Sequence, residues 1–133
     1  MATNARILIV DDDPQIRTFL SLTFAETGYT VMTAGSGDDA IDQCIGEPFD
    51  LVLSDVVMPK MDGHQLAEWI ATNCPDTQTV LMSGWDPGCH HGPHSLRCRF
   101  IAKPFDAHQV LSLVAEILAE SARSPLMRSG ERS

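Results

Sequence analysis

Short, wholly apolar runs alternate with longer segments in which apolar residues recur at helical spacing. Residues 7–10 and 51–53 are two such runs, and polar residues flank each of them. Runs of this length are typical of strands that are buried on both faces of a sheet. Parallel strands need long crossover connections, which are usually helical. The alternation therefore predicts a doubly wound parallel sheet with helices on both faces.

Turn and capping residues set the limits of these elements. Asp13 and Pro14 fit the N-cap and the first position of a helix that Gly28 would end. Five strands are predicted at residues 6–10, 29–33, 51–55, 79–82 and 100–102. The other helices are predicted to begin at Ser36 or Gly37, at Gly63 (ending at Cys74-Pro75) and near Val110. Apolar residues recur at helical spacing at Ile16, Phe19, Leu20 and Phe24 in the first helix and at Ala40, Ile41, Cys44 and Ile45 in the second. Three residues of the third helix are predicted to face inward: Leu66, Ala67 and Ile70.

Composition limits the class of protein. The chain has 133 residues, 44% of them hydrophobic, and a net charge of −9. This length predicts one domain, at residues 1–122, followed by a flexible tail at 123–133. The negative charge argues against direct binding of nucleic acid, which needs a basic surface. No apolar run has the length of a membrane span, so we expect no membrane partner and a cytoplasmic location.

Polar side chains stand where four of the predicted strands end. Asp11 and Asp12 follow the first strand, Asp55 ends the third, Ser83 follows the fourth, and Lys103 follows the fifth. In doubly wound folds the carboxyl ends of the strands form the binding site. We therefore expect these five side chains to meet at one edge of an otherwise apolar sheet.

Such a cluster predicts magnesium-dependent phosphoryl transfer onto Asp55. Three carboxylates repel one another unless a cation neutralises them, and Mg²⁺ prefers oxygen ligands and commonly shares a phosphate with carboxylates. A lysine pairs with a carboxylate at rest and with phosphoryl oxygens during reaction, and a serine can donate a hydrogen bond to the same oxygens. Carboxylates are the nucleophiles of enzymes that form aspartyl phosphates.

Four motifs carry a family resemblance. The segments "ILIVDDDP", "DLVLSDVVMPKMDG", "VLMSG" and "FIAKPF", in this order and spacing, resemble the receiver domain of two-component response regulators, over about residues 6–122. The resemblance implies a flavodoxin-like fold. It also implies a signalling switch rather than an enzyme with its own substrate. The switch would take a phosphoryl group from a histidine kinase or a histidine phosphotransfer protein and alter a surface that binds an unknown downstream protein.

The resemblance also assigns roles to individual residues. It implies that Asp11, Asp12, Asp55 and the backbone carbonyl of Val57 hold Mg²⁺, with Asp55 as the phosphoryl acceptor. Ser83 and Lys103 would bind the phosphoryl group. Ser83 and Phe100 would form the switch pair, although Phe100 fits a simple core position equally well.

Two other classes of protein stay open at this point. One is an aspartate-nucleophile phosphatase of the haloacid dehalogenase type, although "DDDPQ" lacks the threonine that this family needs. The other is a receiver-like interaction module that is not phosphorylated.

The segment at residues 84–99 departs from the family pattern. Its glycines and prolines predict that the fourth helix is short or irregular, since these residues cost about 1 and 3 kcal/mol in a helix interior. It also contains Cys89, His90, His91, His94 and Cys98, which have the chemistry of zinc ligands. Their spacing matches no known finger or ribbon, so a polar loop with incidental histidines is the preferred interpretation.

Overall fold

The computed structural model describes the backbone of residues 5–84 and 98–132 and the side chains of residues 5–84 and 99–120. It contains a five-stranded parallel sheet with the strand order β2-β1-β3-β4-β5, which confirms the predicted fold class. The strands are β1 (Arg6–Val10), β2 (Thr30–Ala34), β3 (Leu51–Asp55), β4 (Gln78–Ser83) and β5 (Cys98–Ala102).

Four helices accompany the sheet in the described part of the chain. They are α1 (Pro14–Thr27), α2 (Gly37–Gly46), α3 (Gly63–Asn73) and α4 (Ala107–Arg132). Their starts follow the predicted capping chemistry. Asp13 accepts a hydrogen bond from the amide of Gln15, and Ser36 accepts one from the amide of Asp39. Gly28 ends α1 in a left-handed conformation with φ of 110°, where a glycine avoids steric strain.

The sheet has an apolar core on each face. On one face, Ile7 and Ile9 of β1 belong to a buried cluster with Phe24 of α1 and Val114 of α4. On the other face, Leu8 belongs to a second cluster that includes Ala40, Cys44, Leu66 and Ile70 of α2 and α3. Alternate residues of a strand point to opposite faces, which explains why a central strand with both faces covered has a continuous apolar sequence.

Two apolar residues with helical spacing in α1 and α2 do not face the core. Phe19 is 40% exposed and Ile45 is 70% exposed. Both have the helical spacing of their buried neighbours, but they lie at the margin of the stripe that contacts the sheet. Spacing predicts which side of a helix faces the core, whereas the width of the contact depends on the packing of the neighbouring elements.

The last helix is longer than the sequence predicts, because its backbone continues through residues 123–132. Pro125 lacks the amide for a helical hydrogen bond, so the sequence of this segment does not predict a helix. The domain boundary at residue 122 and the flexibility of 123–133 stay predictions. The predicted short or irregular helix at 84–99 lies mostly outside the described residues, as do the side chains of the candidate zinc ligands.

Candidate functional site

The sheet topology brings the predicted strand-end residues to one edge. Asp55 and Ser83 are the last residues of β3 and β4, and Asp11 and Lys103 directly follow β1 and β5. These four strands are parallel and adjacent in the order β1-β3-β4-β5. Their carboxyl ends therefore form one edge, where the prediction placed the site.

Three carboxylates meet at this edge. Asp11, Asp12 and Asp55 each offer one carboxylate oxygen, and the three oxygens lie within 4.8 Å of one another. Asp11 is only 1% exposed and Asp55 only 8%, whereas Asp12 is exposed. Two negative charges thus lie in a largely desolvated position, which is costly unless cations compensate them.

Lys103 supplies part of that compensation. Its Nζ lies 3.3 Å from Oδ1 of Asp55 and 3.8 Å from Oδ2 of Asp11. Its backbone amide donates a hydrogen bond of 2.7 Å to the carbonyl of Ser83, which fixes the start of the connection after β5. One ammonium group cannot neutralise three carboxylates, so the edge keeps an excess of negative charge.

Asp11 shows the consequence of this excess. Its Oδ1 accepts a hydrogen bond of 2.9 Å from the amide of Asp13, whereas its buried Oδ2 has no hydrogen-bond partner among the described residues. Burial raises the pKa of the Asp11 carboxyl. The amide of Asp13 and Lys103 oppose this rise, while Asp55 and Asp12 add to it. A buried oxygen without a donor, beside two more carboxylates, fits a hard divalent cation such as Mg²⁺.

The positions of the remaining predicted site residues are compatible with more than one role. Ser83 is buried at the end of β4, with 4% exposure. Phe100 is half-buried and packs against Leu81 together with Val56, an arrangement that suits both a core residue and a switch. The side chain of Val57 is 70% exposed in the loop after Asp55, and the role of its backbone carbonyl stays a prediction.

Gly63 supports the site, and the sequence interpretation missed it. Its amide donates a hydrogen bond of 2.9 Å to the carbonyl of Val56, and a Cβ at this position would lie 2.4 Å from the carbonyl oxygen of Asp55. The sequence predicts that a helix begins at Gly63 but not this contact with β3. Asp62 is the N-cap of α3, in a capping box with Gln65.

Arg17 is a second supporting residue that the sequence did not indicate. Its Nη1 donates a hydrogen bond of 2.6 Å to the backbone carbonyl of Asp11. A Cβ added to Gly35 would lie 3.3 Å from the same nitrogen, so the guanidinium passes close to the start of the β2–α2 connection. This contact joins residues on different elements, and a lone arginine in a helix gives no signal for it.

Comparison with known proteins is consistent with this geometry. The family described as response regulator receiver domain matches residues 7–115. The chain belongs to this family and is a receiver domain of the kind found in two-component response regulators. This result confirms the predicted family and does not favour the phosphatase alternative.

Individual relatives show how the domain is used elsewhere. The chain is 33% identical to the sensor kinase CckA of Brucella abortus, over 89% of this chain and 13% of the kinase. It is 31% identical to the response regulator receiver protein CpdR of the same organism, over 85% of this chain and 96% of CpdR. The chain spans only 13% to 31% of the length of the first four curated relatives.

A solved structure confirms the fold. The response regulator TrrA from Thermotoga maritima, in a crystal structure with Mg²⁺ and BeF, is 28% identical, with a TM-score of 0.74 over 84% of this chain and 97% of that one. The flavodoxin-like architecture predicted from the sequence is therefore shown.

Proposed function

We propose that Asp55 is the residue of this receiver domain that accepts a phosphoryl group from a phosphorylated histidine, with Mg²⁺ bound at the same edge. The observation that carries this proposal is the position of the Asp55 carboxylate. It lies among the carboxylates of Asp11 and Asp12 and within 3.3 Å of the Lys103 ammonium. The end of a buried strand fixes this carboxylate, so it needs little reorganisation before reaction.

The acidic residues hold the cation in this proposal. Asp11, Asp12 and Asp55, with the backbone carbonyl of Val57, would supply its protein ligands, and Oδ2 of Asp11 is a buried acceptor with no donor among the described residues. When bound, Mg²⁺ would neutralise the carboxylates and polarise the phosphoryl oxygens.

Lys103 and Ser83 act on the phosphoryl group. An oxygen of Asp55 forms the new O–P bond as the N–P bond of the donor's phosphohistidine breaks. The Lys103 ammonium lies 3.3 Å from Oδ1 of Asp55. It can move from this carboxylate to the phosphoryl oxygens during the transfer, because it carries several donors on a flexible chain. Ser83, at the end of the neighbouring strand, would donate a hydrogen bond to another of these oxygens.

The partners follow from the same chemistry. The donor would be a histidine kinase or a histidine phosphotransfer protein, and the phosphorylated domain would present an altered surface to a downstream protein. The net charge of −9 supports a protein rather than nucleic acid as the direct partner. No helix in the described part of the chain is long and apolar enough to cross a membrane. The predicted cytoplasmic location is part of this proposal.

Incubation with acetyl phosphate and Mg²⁺ tests the acceptor. We expect the intact protein to gain the mass of one phosphoryl group, and we expect a chelator or Asp55→Asn to abolish the gain. Asp62→Asn is the matched control, because it removes the same charge near the site while asparagine keeps the N-cap of α3. The control should be labelled like the unmodified protein.

Two outcomes would contradict the proposal. Equal labelling of the Asp55→Asn variant would assign the phosphoryl group to another residue. Failure of the unmodified protein to be labelled, by acetyl phosphate and by a panel of phosphorylated histidine phosphotransfer domains, would favour the interaction module that is not phosphorylated.

A further inference from the structure

The loop that follows Asp55 is anchored to the core between α2 and α3. This loop, residues 56–62, is called the acceptor loop below. Met58 is 7% exposed and belongs to the buried cluster on that face of the sheet, and Met61 packs against the same cluster. Val57, between Asp55 and Met58, is instead 70% exposed. Two methionines therefore hold the loop inward, while the side chain of Val57 is exposed to solvent.

Met61 lies close to Gly37, the first residue of α2. A Cβ on the buried Gly37 would lie 2.7 Å from Sδ of Met61 and 2.9 Å from both its Cγ and its Cβ. Rotation of the methionine side chain could move Sδ and Cγ away. The Cβ of Met61 is fixed by the backbone, so that contact can be relieved only if the acceptor loop and α2 move apart.

The acceptor loop is held tightly at its other end as well. Gly63, directly after the loop, approaches so close to β3 that a Cβ would lie 2.4 Å from the carbonyl oxygen of Asp55. The amide of Met61 donates a hydrogen bond of 2.8 Å to the carbonyl of Pro59, and Lys60 between them has a positive φ of 68°. A displacement at Met61 would thus be transmitted within a few residues to the backbone beside the acceptor.

We propose that Gly37 and Met61 form a positioning contact through which α2 holds the acceptor loop in the geometry that phosphorylation requires. This inference rests on the proposed function of Asp55 and adds residues that touch neither the phosphoryl group nor the cation. A displacement of about 1 Å in a reacting group can reduce a rate by roughly 100-fold. Position 37 therefore needs a glycine to keep the geometry of the site, and not to form α2.

The chain contains a matched control for this contact. Gly46, at the other end of α2, has open space where a Cβ would be added. Helix propensity favours alanine over glycine by up to about 1 kcal/mol, and this preference acts in the same direction at both ends of α2. A difference between Gly37→Ala and Gly46→Ala therefore reports the contact with Met61.

The first readout is amide hydrogen exchange of the metal-free protein, which does not depend on activity. In Gly37→Ala we expect faster exchange at the amides of Met61 and Gly63, whose hydrogen bonds stabilise the loop and its junction with α3. Gly46→Ala should exchange at these amides like the unmodified protein. The second readout is the rate of labelling by acetyl phosphate at saturating Mg²⁺, which we expect to fall roughly 10- to 100-fold in Gly37→Ala alone.

A second substitution tests whether the effect passes through Met61. Met61→Gly removes Sδ, Cγ and Cβ, the three atoms that would lie within 3.0 Å of the added Cβ. We expect the double variant Gly37→Ala/Met61→Gly to recover part of the labelling rate and of the exchange protection at Gly63 that Gly37→Ala loses. If Gly37→Ala alone fails to fold, Met61→Ala alone provides the test, and it should speed exchange at Gly63 and slow labelling.

The outcomes separate this inference from the proposed function. If the unmodified protein is labelled at Asp55 and Gly37→Ala matches Gly46→Ala in both readouts, the positioning contact is refuted while Asp55 remains the acceptor. The same conclusion follows if Gly37→Ala is slow but the double variant shows no recovery. If the unmodified protein is not labelled at all, the proposed function of Asp55 is refuted. Faster exchange in Gly37→Ala would then show that the contact stabilises the loop without a role in phosphorylation.

Discussion

At the scale of single residues, the two oxygens of the Asp11 carboxyl have different surroundings. One of its oxygens accepts a hydrogen bond from the Asp13 amide, while the other is buried, lies 3.8 Å from Nζ of Lys103 and has no hydrogen-bond partner among the described residues. Burial, which disfavours the charged form, is the largest influence on its pKa and raises it. The charge that would attract a cation therefore destabilises the cation-free fold, as expected where a protein keeps a binding site at a cost in stability.

Replacement of Asp11 by asparagine should therefore stabilise the protein in the absence of metal. The pKa of Asp11 is raised above the ordinary value of 3.8 in the folded state. Below pH 3.8 both states carry the proton, and the substitution should have little effect. As pH rises from 3.8 to the folded pKa, the free energy of unfolding of the unmodified protein falls relative to that of Asp11→Asn, and at higher pH the difference stays constant. Urea denaturation with a chelator present, at pH 7 and near pH 4, measures this difference.

The control for that experiment is Asp42→Asn, which removes an exposed carboxylate from α2 and should change the free energy of unfolding by only a few tenths of a kcal/mol. Added Mg²⁺ should reverse the order of stability, because only the unmodified protein keeps all three carboxylates. A lower stability of Asp11→Asn at pH 7 without metal would show that burial of this charge is better compensated than we infer.

At the scale of elements, the sequence was most informative where a signal is local. Asp13, Ser36 and Gly28 act as the caps that their residue types predict, and the strand-end carboxylates lie together because a parallel sheet has only one carboxyl edge. The contacts of Gly63 and Gly37 could not be predicted in this way. A glycine at a helix start looks the same in sequence whether open space or a backbone carbonyl faces it.

Gly63→Ala should destabilise the fold through its contact with β3. The added Cβ would lie 2.4 Å from the carbonyl oxygen of Asp55 and 2.9 Å from Cα of Val56. Both are backbone atoms that cannot move away by side-chain rotation. We expect a loss of about 1–3 kcal/mol in the free energy of unfolding, whereas Gly46→Ala should gain up to about 1 kcal/mol. Chemical denaturation of both variants measures the difference, and a neutral Gly63→Ala would show that α3 can shift away from β3 without cost.

At the scale of the whole molecule, the acidic edge lies between two apolar cores that fix the sheet from both faces. Leu53 of β3 belongs to one core and Val52 to the other, so packing on both sides holds the strand that ends in Asp55. A ligand that completes the edge should therefore stabilise the entire domain, because binding to the folded state alone shifts the unfolding equilibrium. Lys103, directly after the outer strand β5, contributes the only protein cation that the structure places within 4 Å of the Asp55 carboxylate among the described residues.

Beryllofluoride with Mg²⁺, which mimics an aspartyl phosphate, should raise the melting temperature of the unmodified protein. At a ligand concentration about 100 times the dissociation constant, the expected stabilisation is roughly 2.7 kcal/mol, or several degrees. Lys103→Ala should fold, because the side chain is 29% exposed and outside the two cores, but its response should be much smaller. Lys60→Ala, at the other lysine of the chain, is the control and should respond like the unmodified protein. If Lys103→Ala gave the full increase in melting temperature, the ammonium group would not contact the bound phosphoryl mimic, and its proximity to Asp55 would serve only to balance charge at rest.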